Sequence, residues 1–459
     1  MKRTLKAFAA VMKGELVGED RVFDQVSTDS RTIGPGQVFI ALSGPNFDAH
    51  DFLSVAAERG AVGAVVSRRL PIALPQILVS DTLIALQRAS AAWRAQFSIP
   101  VIAVAGSNGK TTTKEMLASI LSELGPCHAT KGTLNNHIGV PLTLLALDFH
   151  HVTAVIEIGA NHPGEVAALT TLVKPTVGLV TNAGAEHLEG FGDLEGVAHA
   201  EGELFLGLGA QSTAVINADD PYAALWSSMA DARGVVFFGQ DASADVRLLG
   251  AVRAVSASIQ EFECDTPKGV LSLRLCLAGH HNVINALGAV AAALVAGASV
   301  EQVVSGLAVM RPVKGRLDVK TGASGACIID DSYNANPSSL QAALVVLGKQ
   351  PTEKWLVLGS MGELGDRSHE AHQEAGRAAR AAGTQRLFGI GVLAQHAVDA
   401  FGEQAEWFES AESLLERLRG QLHPGVTVLV KGSRFNRLER VVDALCADGP
   451  RLQRVGDRR

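Results

Sequence analysis

The chain has 459 residues, of which 47% are hydrophobic, and its formal net charge at pH 7 is −7. This length predicts about three domains, and the composition is sufficient to form buried cores. The acidic balance argues against a general nucleic-acid or membrane-surface binder, so an anionic substrate must be met by local basic groups.

Cysteine usage and the apolar segments indicate the compartment. The five cysteines form no Cys-x-x-Cys pair, which favours reduced thiols in a cytoplasmic protein. Lys6 and Lys13 interrupt the N-terminal apolar run, which therefore does not resemble a signal peptide. Residues 286–300 are mainly alanine and valine, but the run is shorter than a membrane span and predicts a buried helix. We expect a soluble cytoplasmic protein that neither inserts into a membrane nor binds nucleic acid.

The first part of the chain predicts a small α/β domain over residues 1–82. Short apolar runs at 37–42, 61–66 and 76–79 are separated by Gly, Pro and Asp turns. This part contains no phosphate-binding motif. A helical pattern at 83–96 leads into the next domain.

The most informative stretch lies between an apolar run at 99–105 and a helical pattern that begins at Thr112. It reads Gly106-Ser107-Asn108-Gly109-Lys110-Thr111. A strand, glycine turn and helix start direct successive backbone N–H groups at one point and favour an anion there. Lys110 adds a charge for terminal phosphates, and the Thr111 hydroxyl is suited to hold Mg²⁺. We predict a nucleoside triphosphate site that uses these six residues and Thr112.

The spacing of this motif leaves an alternative open. A full phosphate loop has four residues between its first glycine and Gly-Lys, and its first position here would be Val104. An ordinary glycine-rich turn would not require Lys110 and Thr111. Apolar residues at 116, 117, 120, 121 and 124 lie on one helical face, which supplies the helix that a phosphate loop needs.

The strands that follow deliver polar side chains to the same edge of the predicted sheet. Glu157 ends the apolar run 153–158, and the strand at 176–181 is followed by His187. Ligands of open α/β sheets lie at the carboxyl ends of parallel strands, so Glu157 and His187 are candidate Mg²⁺ ligands. The alternatives are an exposed strand-end acid at Glu157 and a satisfied polar residue at His187.

The remainder of the chain predicts two further regions. A strand at 213–217 and an alternating segment at 244–278, typical of antiparallel strands, complete a central domain over 83–313. Strands at 327–330, 355–359, 386–389 and 426–430, each followed by a helical pattern, predict a Rossmann-like domain over 314–459. The fold class is therefore α/β, with mainly parallel sheets in three domains.

In combination, these motifs resemble the Mur ligase family of ATP-dependent amide-forming enzymes, whose phosphate loop has the same shortened spacing. Residues 279–285 resemble the family's adenine-side motif, in which Asn282 would contact the base. Residues 312–318 resemble the interdomain segment whose arginine, here Arg316, reaches the γ-phosphate. Residues 330–337 resemble the third-domain motif, in which Asp331 would meet the ribose. The resemblance implies Lys110, His187 and Arg316 as catalytic residues and ATP and Mg²⁺ as cofactors.

Three segments, 134–141, 333–339 and 359–365, resemble the branch of this family that adds D-alanyl-D-alanine to UDP-N-acetylmuramoyl-tripeptide. The resemblance implies those two substrates and a monomeric enzyme. It also places substrate contacts on the polar and aromatic residues of three segments: Ser30, Arg31, Asn46, Phe47, Asp48 and His50 for the UDP portion, and Asn135, Asn136, Asn334 and Asn336 elsewhere. Without the resemblance, the first-domain residues would be interpreted as solvated turns.

One position departs from the family pattern. Several members carry a carbamylated lysine that reaches the second Mg²⁺, and its expected position here is Glu201. Glutamate supplies the same charge on a shorter stem, so we predict that Glu201 replaces the modified lysine as a metal ligand. His199 is a competing ligand.

The resemblance implies that ATP activates a peptide carboxylate as an acyl phosphate, which the amine of the dipeptide then attacks. One alternative is another amide ligase of this fold, such as a folylpolyglutamate synthase. A second is a phosphate-loop kinase or ATPase. A third is a nicotinamide oxidoreductase, suggested by the Gly-x-Gly-x-x-Ala pattern at 389–394.

Overall fold

A computed structural model describes residues 3–231 and 234–447. Each of the three predicted regions forms its own main sheet of largely parallel strands with helices packed on it. Residues 448–459, the end of the predicted third domain, lie outside the described residues. Within the described part, no helix is both long and apolar enough to cross a membrane.

The first region contains short strands and two α-helices. They are β1 (Arg3–Thr4), β2 (Glu15–Val17), β3 (Val22–Phe23), β4 (Gln25–Ser27), β5 (Gln37–Ile40), β6 (Ser43–Gly44), β7 (Phe47–Asp48), β8 (Gly63–Val66) and β9 (Gln76–Leu78), with α1 (Leu5–Met12), α2 (Leu53–Glu58) and a 3₁₀ helix at Ala49–Phe52. The main sheet has the order β2-β9-β8-β5-β4, in which only the β2–β9 pair is antiparallel.

The central region is built on a nine-stranded sheet. Its strands are β10 (Val101–Ala105), β11 (Cys127–Ala129), β12 (Thr153–Glu157), β13 (Val177–Val180), β14 (Thr213–Asn217), β15 (Gly234–Gly239), β16 (Val246–Ala254), β17 (Gln260–Asp265) and β18 (Leu271–Leu275). Its helices are α3 (Thr82–Arg94), α4 (Lys110–Ser122), α5 (Gly139–Leu145), α6 (Glu165–Val173), α7 (Leu188–Phe191), α8 (Leu194–Leu206), α9 (Ala223–Ala230), α10 (His280–Val295) and α11 (Val300–Val309).

The order of this sheet is β11-β12-β10-β13-β14-β15-β16-β17-β18. Strands β11 to β16 are parallel, whereas β16, β17 and β18 pair antiparallel, as the alternating pattern at 244–278 predicted. Every residue of β10 is buried, because helices cover both faces of the parallel part. Strand β10 lies between β12 and β13, so their three carboxyl ends are adjacent.

The third region forms a six-stranded sheet. It contains β19 (Asp318–Thr321), β20 (Cys327–Asp331), β21 (Glu353–Gly359), β22 (Arg386–Ile390), β23 (Ala405–Phe408) and β24 (Val426–Lys431), with α12 (Pro337–Gly348), α13 (Ser368–Ala381), α14 (Ala394–Phe401), α15 (Ala411–Arg419) and α16 (Glu439–Cys446), and with 3₁₀ helices at Gly365–Arg367 and Arg434–Asn436. The order is β19-β20-β24-β21-β22-β23, and only β19 is antiparallel to its neighbour. The glycine pattern at 389–394 forms the strand-to-helix turn between β22 and α14.

The first and central regions share a hydrophobic core. Leu5 and Phe8 of α1 belong to the same buried cluster as Trp93 of α3 and Leu144 of α5. The predicted boundary at 82/83 falls at the start of α3, which packs against both regions. We retain 1–82, 83–313 and 314–459 as the proposed domain boundaries.

The prediction of one buried helix over 286–300 is wrong in its extent. Residues 286–293 are buried within α10, but this helix ends at Val295. Gly297 has a φ of +101°, which breaks the helix, and Ser299 caps α11 by accepting a hydrogen bond from Gln302 N. The apolar composition was informative, whereas the turn and cap divided the run.

Candidate active site

The carboxyl ends of the central strands and those of β20 and β24 face the same cavity, which has a volume of about 630 Å³. It brings together most of the predicted site residues of the central and third domains. Those that line it are Ser107, Asn108, Gly109, Lys110, Thr111, Thr112, Asn135, Asn136, Glu157, His187, Asn282, Arg316, Asp331, Asn334 and Asn336. Gly106, Glu201 and the predicted residues of the first domain do not line it.

The phosphate loop connects β10 to α4, as predicted. Gly106 has a φ of +115°, and a Cβ there would lie 2.2 Å from Thr181 Oγ1. Gly109 has a φ of +86°, and a Cβ would meet the Asn285 side chain at 2.4 Å. Both positions therefore require glycine for conformation and for space. Gly109 is the N-cap of α4 without a side-chain cap, which leaves the first N–H groups of this helix available for an anion.

The strand end after β13 holds the loop in place. Ser107 N donates to Asn182 O at 2.8 Å, and Thr181 Oγ1 donates to Asn108 O at 2.7 Å. Ser107 Oγ accepts a hydrogen bond from Gly184 N at 2.8 Å. The loop conformation is thus fixed by residues more than seventy positions away, which favours preorganised phosphate binding.

Lys110 is surrounded by acidic groups. Its Nζ donates to Gly106 O at 2.5 Å, to Ser107 O at 3.0 Å and to Glu186 Oε1 at 3.1 Å. Burial alone would lower the pKa of Lys110, but the charges of Glu186, Glu201 and Glu157 outweigh this effect and raise the pKa. Lys110 is therefore a fixed cation at the cavity wall.

Glu201 lies behind the phosphate loop rather than in the cavity. It is buried on α8, and its Oε2 accepts a hydrogen bond from Gly106 N at 2.7 Å. Burial raises the pKa of Glu201 to about 7 even though the charge of Lys110 opposes the shift. The structure thus gives Glu201 a contact with the loop backbone, and its predicted role as a metal ligand stays a prediction. His199, the competing ligand, is exposed on the same helix and lies 4.0 Å from Glu195.

The environment of Glu157 fits a hard cation such as Mg²⁺. Glu157 is almost fully buried; its Oε1 accepts from Asn135 Nδ2 at 2.8 Å, while its buried Oε2 has no hydrogen-bond partner. A buried carboxylate oxygen without a partner is costly unless a cation meets it. Across 3–231 and 234–447, no three His, Cys, Asp or Glu side chains cluster closely enough to form a metal site by themselves. This is compatible with Mg²⁺, which commonly uses one or two carboxylates together with waters and substrate phosphates.

His187 adopts an uncommon backbone conformation and contacts the third domain. Its φ is +49°, in the left-handed region that non-glycine residues seldom occupy. Its Nδ1 lies 2.7 Å from Glu363 Oε2. Burial lowers the pKa of His187, but the hydrogen bond to Glu363 and the charge of Glu186 produce a net increase.

Arg316 links the third domain to the phosphate loop. Its Nη2 donates to Thr111 Oγ1 at 3.2 Å, and its guanidinium lies over the Tyr333 ring at 4.3 Å from the centroid. The buried Nε of Arg316 has no hydrogen-bond partner among the described residues. The predicted arginine is therefore at the phosphate end of the cavity, with donor capacity that an oxyanion could satisfy.

Further contacts join the same two domains. Asn336 Nδ2 donates to Asn108 Oδ1 at 3.0 Å, and Asn108 Nδ2 donates to Ser338 Oγ at 3.1 Å. Tyr333 Oη donates to Thr133 Oγ1 at 2.7 Å. Asn336 also caps α12 by accepting from Ser339 N, so the start of this helix is aligned with the phosphate loop.

The region predicted for the ribose contains an ion pair that sequence reasoning missed. Lys431 Nζ lies 2.5 Å from Asp331 Oδ2 and donates to Asn334 O at 3.0 Å. Asp331 Oδ1 accepts from Leu317 N at 3.2 Å. Lys431 is the last residue of β24 and lines the cavity, so the rule that ligands lie at strand ends would have identified it.

The adenine-side motif is held mainly by internal contacts. Asn282 Nδ2 donates to Ala278 O at 2.7 Å, and its Oδ1 accepts from Asn285 Nδ2 at 3.2 Å. Sequence reasoning missed four other cavity residues in this region: Asn217, Asp219, Gln240 and His281. Asn217 ends β14 and Gln240 follows β15, so strand ends were again the available signal.

The loop that carries Asn135 and Asn136 is anchored by a buried lysine. Lys114 of α4 is fully buried, and its Nζ donates to Thr130 O at 2.9 Å and contacts Glu115 Oε1 at 2.5 Å. Thr130 Oγ1 in turn accepts from Glu157 N at 3.0 Å. Asn136 caps α5 by accepting from Gly139 N at 2.8 Å, which fixes the far end of the loop.

The predicted first-domain residues make local contacts. Arg31 is exposed and forms a two-point pair with Asp29, through Nε at 2.9 Å and Nη2 at 2.8 Å. Phe47 is 56% exposed, which leaves its ring free to meet a flat partner. Ser30 is half-buried and Asn46 exposed in neighbouring turns.

His50 differs from those residues because it is buried. Its Nε2 accepts from Ser67 N at 2.9 Å, and its Nδ1 lies 2.6 Å from Asp48 Oδ1. Arg68 also donates to Asp48, at 2.7 Å, and holds the pKa of that carboxyl well below its usual range. Both ring nitrogens of His50 are therefore used within the domain, and direct substrate binding by His50 stays a prediction.

The fold and the cavity define a three-domain nucleotide-binding enzyme in which a phosphate loop faces an arginine from another domain. Comparison with known proteins gives the family. Residues 104–293 match the Mur ligase middle domain, and residues 315–434 match the family described as Mur ligase, glutamate ligase domain. The chain belongs to the Mur ligase family, which confirms the resemblance found in its motifs.

Individual relatives are similar over nearly the whole chain. The UDP-N-acetylmuramoyl-tripeptide–D-alanyl-D-alanine ligase of Escherichia coli K12 is 42% identical, over 97% of this chain and 99% of that protein. A crystal structure of MurF from Acinetobacter baumannii superposes with a TM-score of 0.90 at 35% identity, covering 97% of this chain and 99% of that one. MurF from Thermotoga maritima in complex with ADP gives 0.81 at 27% identity, covering 92% and 97%. These similarities confirm the predicted α/β fold class.

Proposed function

We propose that this protein is an ATP-dependent ligase that joins D-alanyl-D-alanine to UDP-N-acetylmuramoyl-tripeptide. The observation that carries the proposal is Arg316, which reaches Thr111 of the phosphate loop from another domain. A phosphate loop and a cation on opposite sides of one cavity suit phosphoryl transfer to a bound acceptor. The full-length similarity to ligases of that name supports the choice of substrates.

In the proposed first step, the terminal carboxylate of the tripeptide attacks the γ-phosphorus of ATP. A P–O bond forms to the carboxylate, the bond to the β-phosphate oxygen breaks, and ADP leaves. Lys110 and Arg316 would neutralise the charge on the transferred group from two sides. The residues that fit Mg²⁺ are Thr111, Glu157 and His187, and the ion would supply further charge neutralisation on the phosphates.

In the second step, the amine of D-alanyl-D-alanine attacks the acyl carbon, loses a proton and displaces phosphate. An acyl phosphate is also open to attack by water, so the site must exclude solvent. The contacts of Asn336 with Asn108 and of Tyr333 with Thr133 hold the third domain against the central one. We propose that this closed arrangement protects the intermediate.

The remaining proposals concern the first domain and the state of the protein. Exposed Phe47 and Arg31 suit the base and the diphosphate of the UDP portion, respectively. Asn135, Asn136, Asn334 and Asn336 are proposed substrate contacts at the cavity. The five free cysteines suit the reducing cytoplasm, and we propose a monomer as the active form.

A coupled phosphate-release assay tests the proposed function. Full-length protein with ATP, Mg²⁺ and UDP-N-acetylmuramoyl-tripeptide should release phosphate only when D-alanyl-D-alanine is added. Mass spectrometry should then detect the extended UDP-linked peptide. Equal phosphate release with free D-glutamate, or release without any acceptor, would contradict the proposal and indicate another amide ligase or an ATPase.

A further inference from the structure

An ion pair across the domain boundary lies next to the proposed metal site. His187 follows β13 of the central domain, and Glu363 follows β21 of the third domain. The His187 ring lines the cavity, and its Nδ1 lies 2.7 Å from Glu363 Oε2. Neither the phosphate loop nor the catalytic steps proposed above use this carboxylate.

The pair determines which nitrogen of His187 is available. An Nδ1–H that donates to Glu363 leaves Nε2 as the nitrogen with a free lone pair. Histidines that bind metals commonly donate their other ring N–H to a carboxylate, which fixes the tautomer and the ring orientation. The geometry at His187 and Glu363 is that of a histidine whose second nitrogen is prepared for a cation.

The backbone and its neighbours brace the segment that carries Glu363. Glu363 has a φ of +64°, so both members of the pair lie in the left-handed region. Gly362 N donates to Ser433 Oγ at 2.9 Å, and Met361 N donates to His372 Nε2 at 2.8 Å. The Glu363 side chain is nevertheless 62% exposed, so the pair can break when the domains separate.

We propose that Glu363 is a positioning residue that orients His187 toward a divalent cation when the third domain closes. Closure would then complete the metal site as well as bring Arg316 to the phosphates. A cation bound with ATP would be held most tightly in the closed arrangement. This inference rests on the proposed Mg²⁺ site at Thr111, Glu157 and His187.

Cation binding to the full-length protein tests the inference without measuring turnover. Mn²⁺ is titrated in the presence of a non-hydrolysable ATP analogue, and free Mn²⁺ is followed by electron paramagnetic resonance. Glu363→Ala should weaken Mn²⁺ binding about 10- to 100-fold, as removal of a carboxylate behind a metal-bound histidine does. Glu363→Gln should retain most of the affinity, because its amide oxygen can still accept from Nδ1–H.

Glu370→Ala is the matched control, because this third-domain glutamate has the same 62% side-chain exposure and pairs only with Arg367. It should bind Mn²⁺ as the wild type does. In the ligase assay, Glu363→Ala should raise the Mg²⁺ concentration needed for half-maximal rate more than it lowers kcat at saturating Mg²⁺. A purely structural role would instead lower the thermal midpoint without metal, which we expect to be unchanged.

The outcomes separate the inference from the proposed function. Wild-type affinity for Mn²⁺ in Glu363→Ala, or an equal loss in Glu370→Ala, would overturn the role of Glu363 and leave the ligase proposal intact. No Mn²⁺ binding by the wild type with nucleotide would overturn both the metal site and the inference. Retention in Glu363→Gln with loss in Glu363→Ala supports orientation through Nδ1–H.

Discussion

The nucleotide cavity and the predicted UDP region of the first domain are held together in different ways. In the cavity, Lys110 pairs with Glu186, and Arg316 reaches Thr111 from another domain. In the first domain, Arg31 pairs with Asp29 only two residues away. The cavity is therefore assembled by the tertiary fold, whereas the UDP region is formed largely by local turns.

This difference teaches which function each region can support. A cavity whose charged groups are fixed by distant partners is preorganised, and preorganised charge favours transition-state stabilisation. Exposed local groups such as Phe47 and Arg31 can bind a substrate but contribute little to the reacting centre. Variants in the two regions should therefore separate turnover from substrate binding.

The largest effect is expected for Lys110→Ala. Removing this cation from the cavity wall should lower kcat by a factor on the order of 10³, the scale for loss of one preorganised charge-stabilising group. The dissociation constant of UDP-N-acetylmuramoyl-tripeptide, measured by isothermal titration calorimetry, should stay close to that of the wild type. Lys6→Ala, at an exposed lysine of the first domain, serves as the control and should retain full turnover.

The converse effect is expected for Phe47→Ala in the first domain. Loss of an exposed aromatic ring that stacks on a base should weaken binding of the UDP substrate by about 1–3 kcal/mol. The kcat at saturating substrate and the KM for ATP should not change. Phe149→Ala is a suitable control, because this ring has a similar exposure of 52% against 56% for Phe47 but lies in the central domain. A fall in kcat for Phe47→Ala would show that the two regions are not separable.

A smaller effect on turnover but a clear effect on stability is expected for Lys114→Met. Lys114 lies one helical turn after Lys110, yet it points into the protein and donates to Thr130 O. Its loss leaves that carbonyl without its donor and should cost about 1–3 kcal/mol of local stability. Hydrogen exchange should show faster amide exchange in residues 130–136 than in the Lys110→Ala protein. Unchanged exchange there would mean that the loop is held by its other contacts.

The smallest effect concerns pH. Burial lowers the pKa of His372, whose Nε2 accepts from Met361 N and whose Nδ1 donates to Ser368 O. The folded state thus keeps this ring neutral, while the unfolded state takes up a proton below about pH 6.5. The unfolded state then binds more protons, so the contribution of His372 to stability is lost as pH falls below that value.

His372→Gln should flatten this dependence, because the glutamine oxygen can accept from Met361 N without titrating. The measurement is the change in thermal midpoint between about pH 7.5 and about pH 5.5 for both proteins. The wild type should lose more than the variant. Equal losses would show that the other histidines with lowered pKa, such as His128, dominate the acid response.

Motifs that lie within one continuous segment were predictable from the sequence. The phosphate loop, the start of α4 and the end of β12 at Glu157 follow from local patterns, because glycine turns and strand ends are encoded by neighbouring residues. Lys431 and Gln240 also lie at or just after strand ends, but their pairing with Asp331 and Asp219 depends on which strands become neighbours. The misjudged extent of the helix at 286–300 came from treating apolar composition as continuity across Gly297.

The sequence by itself determined the fold class, the phosphate loop and the family, because each rests on short patterns of residue type and spacing. Only the tertiary structure decided how the parts meet. It turned Glu201 toward Gly106 N behind the loop and brought Glu363 to His187 across two domains. The physical reason is that a hydrogen bond or ion pair depends on distances of about 3 Å between side chains, and those distances are set by the packing of sheets and domains rather than by separation along the chain.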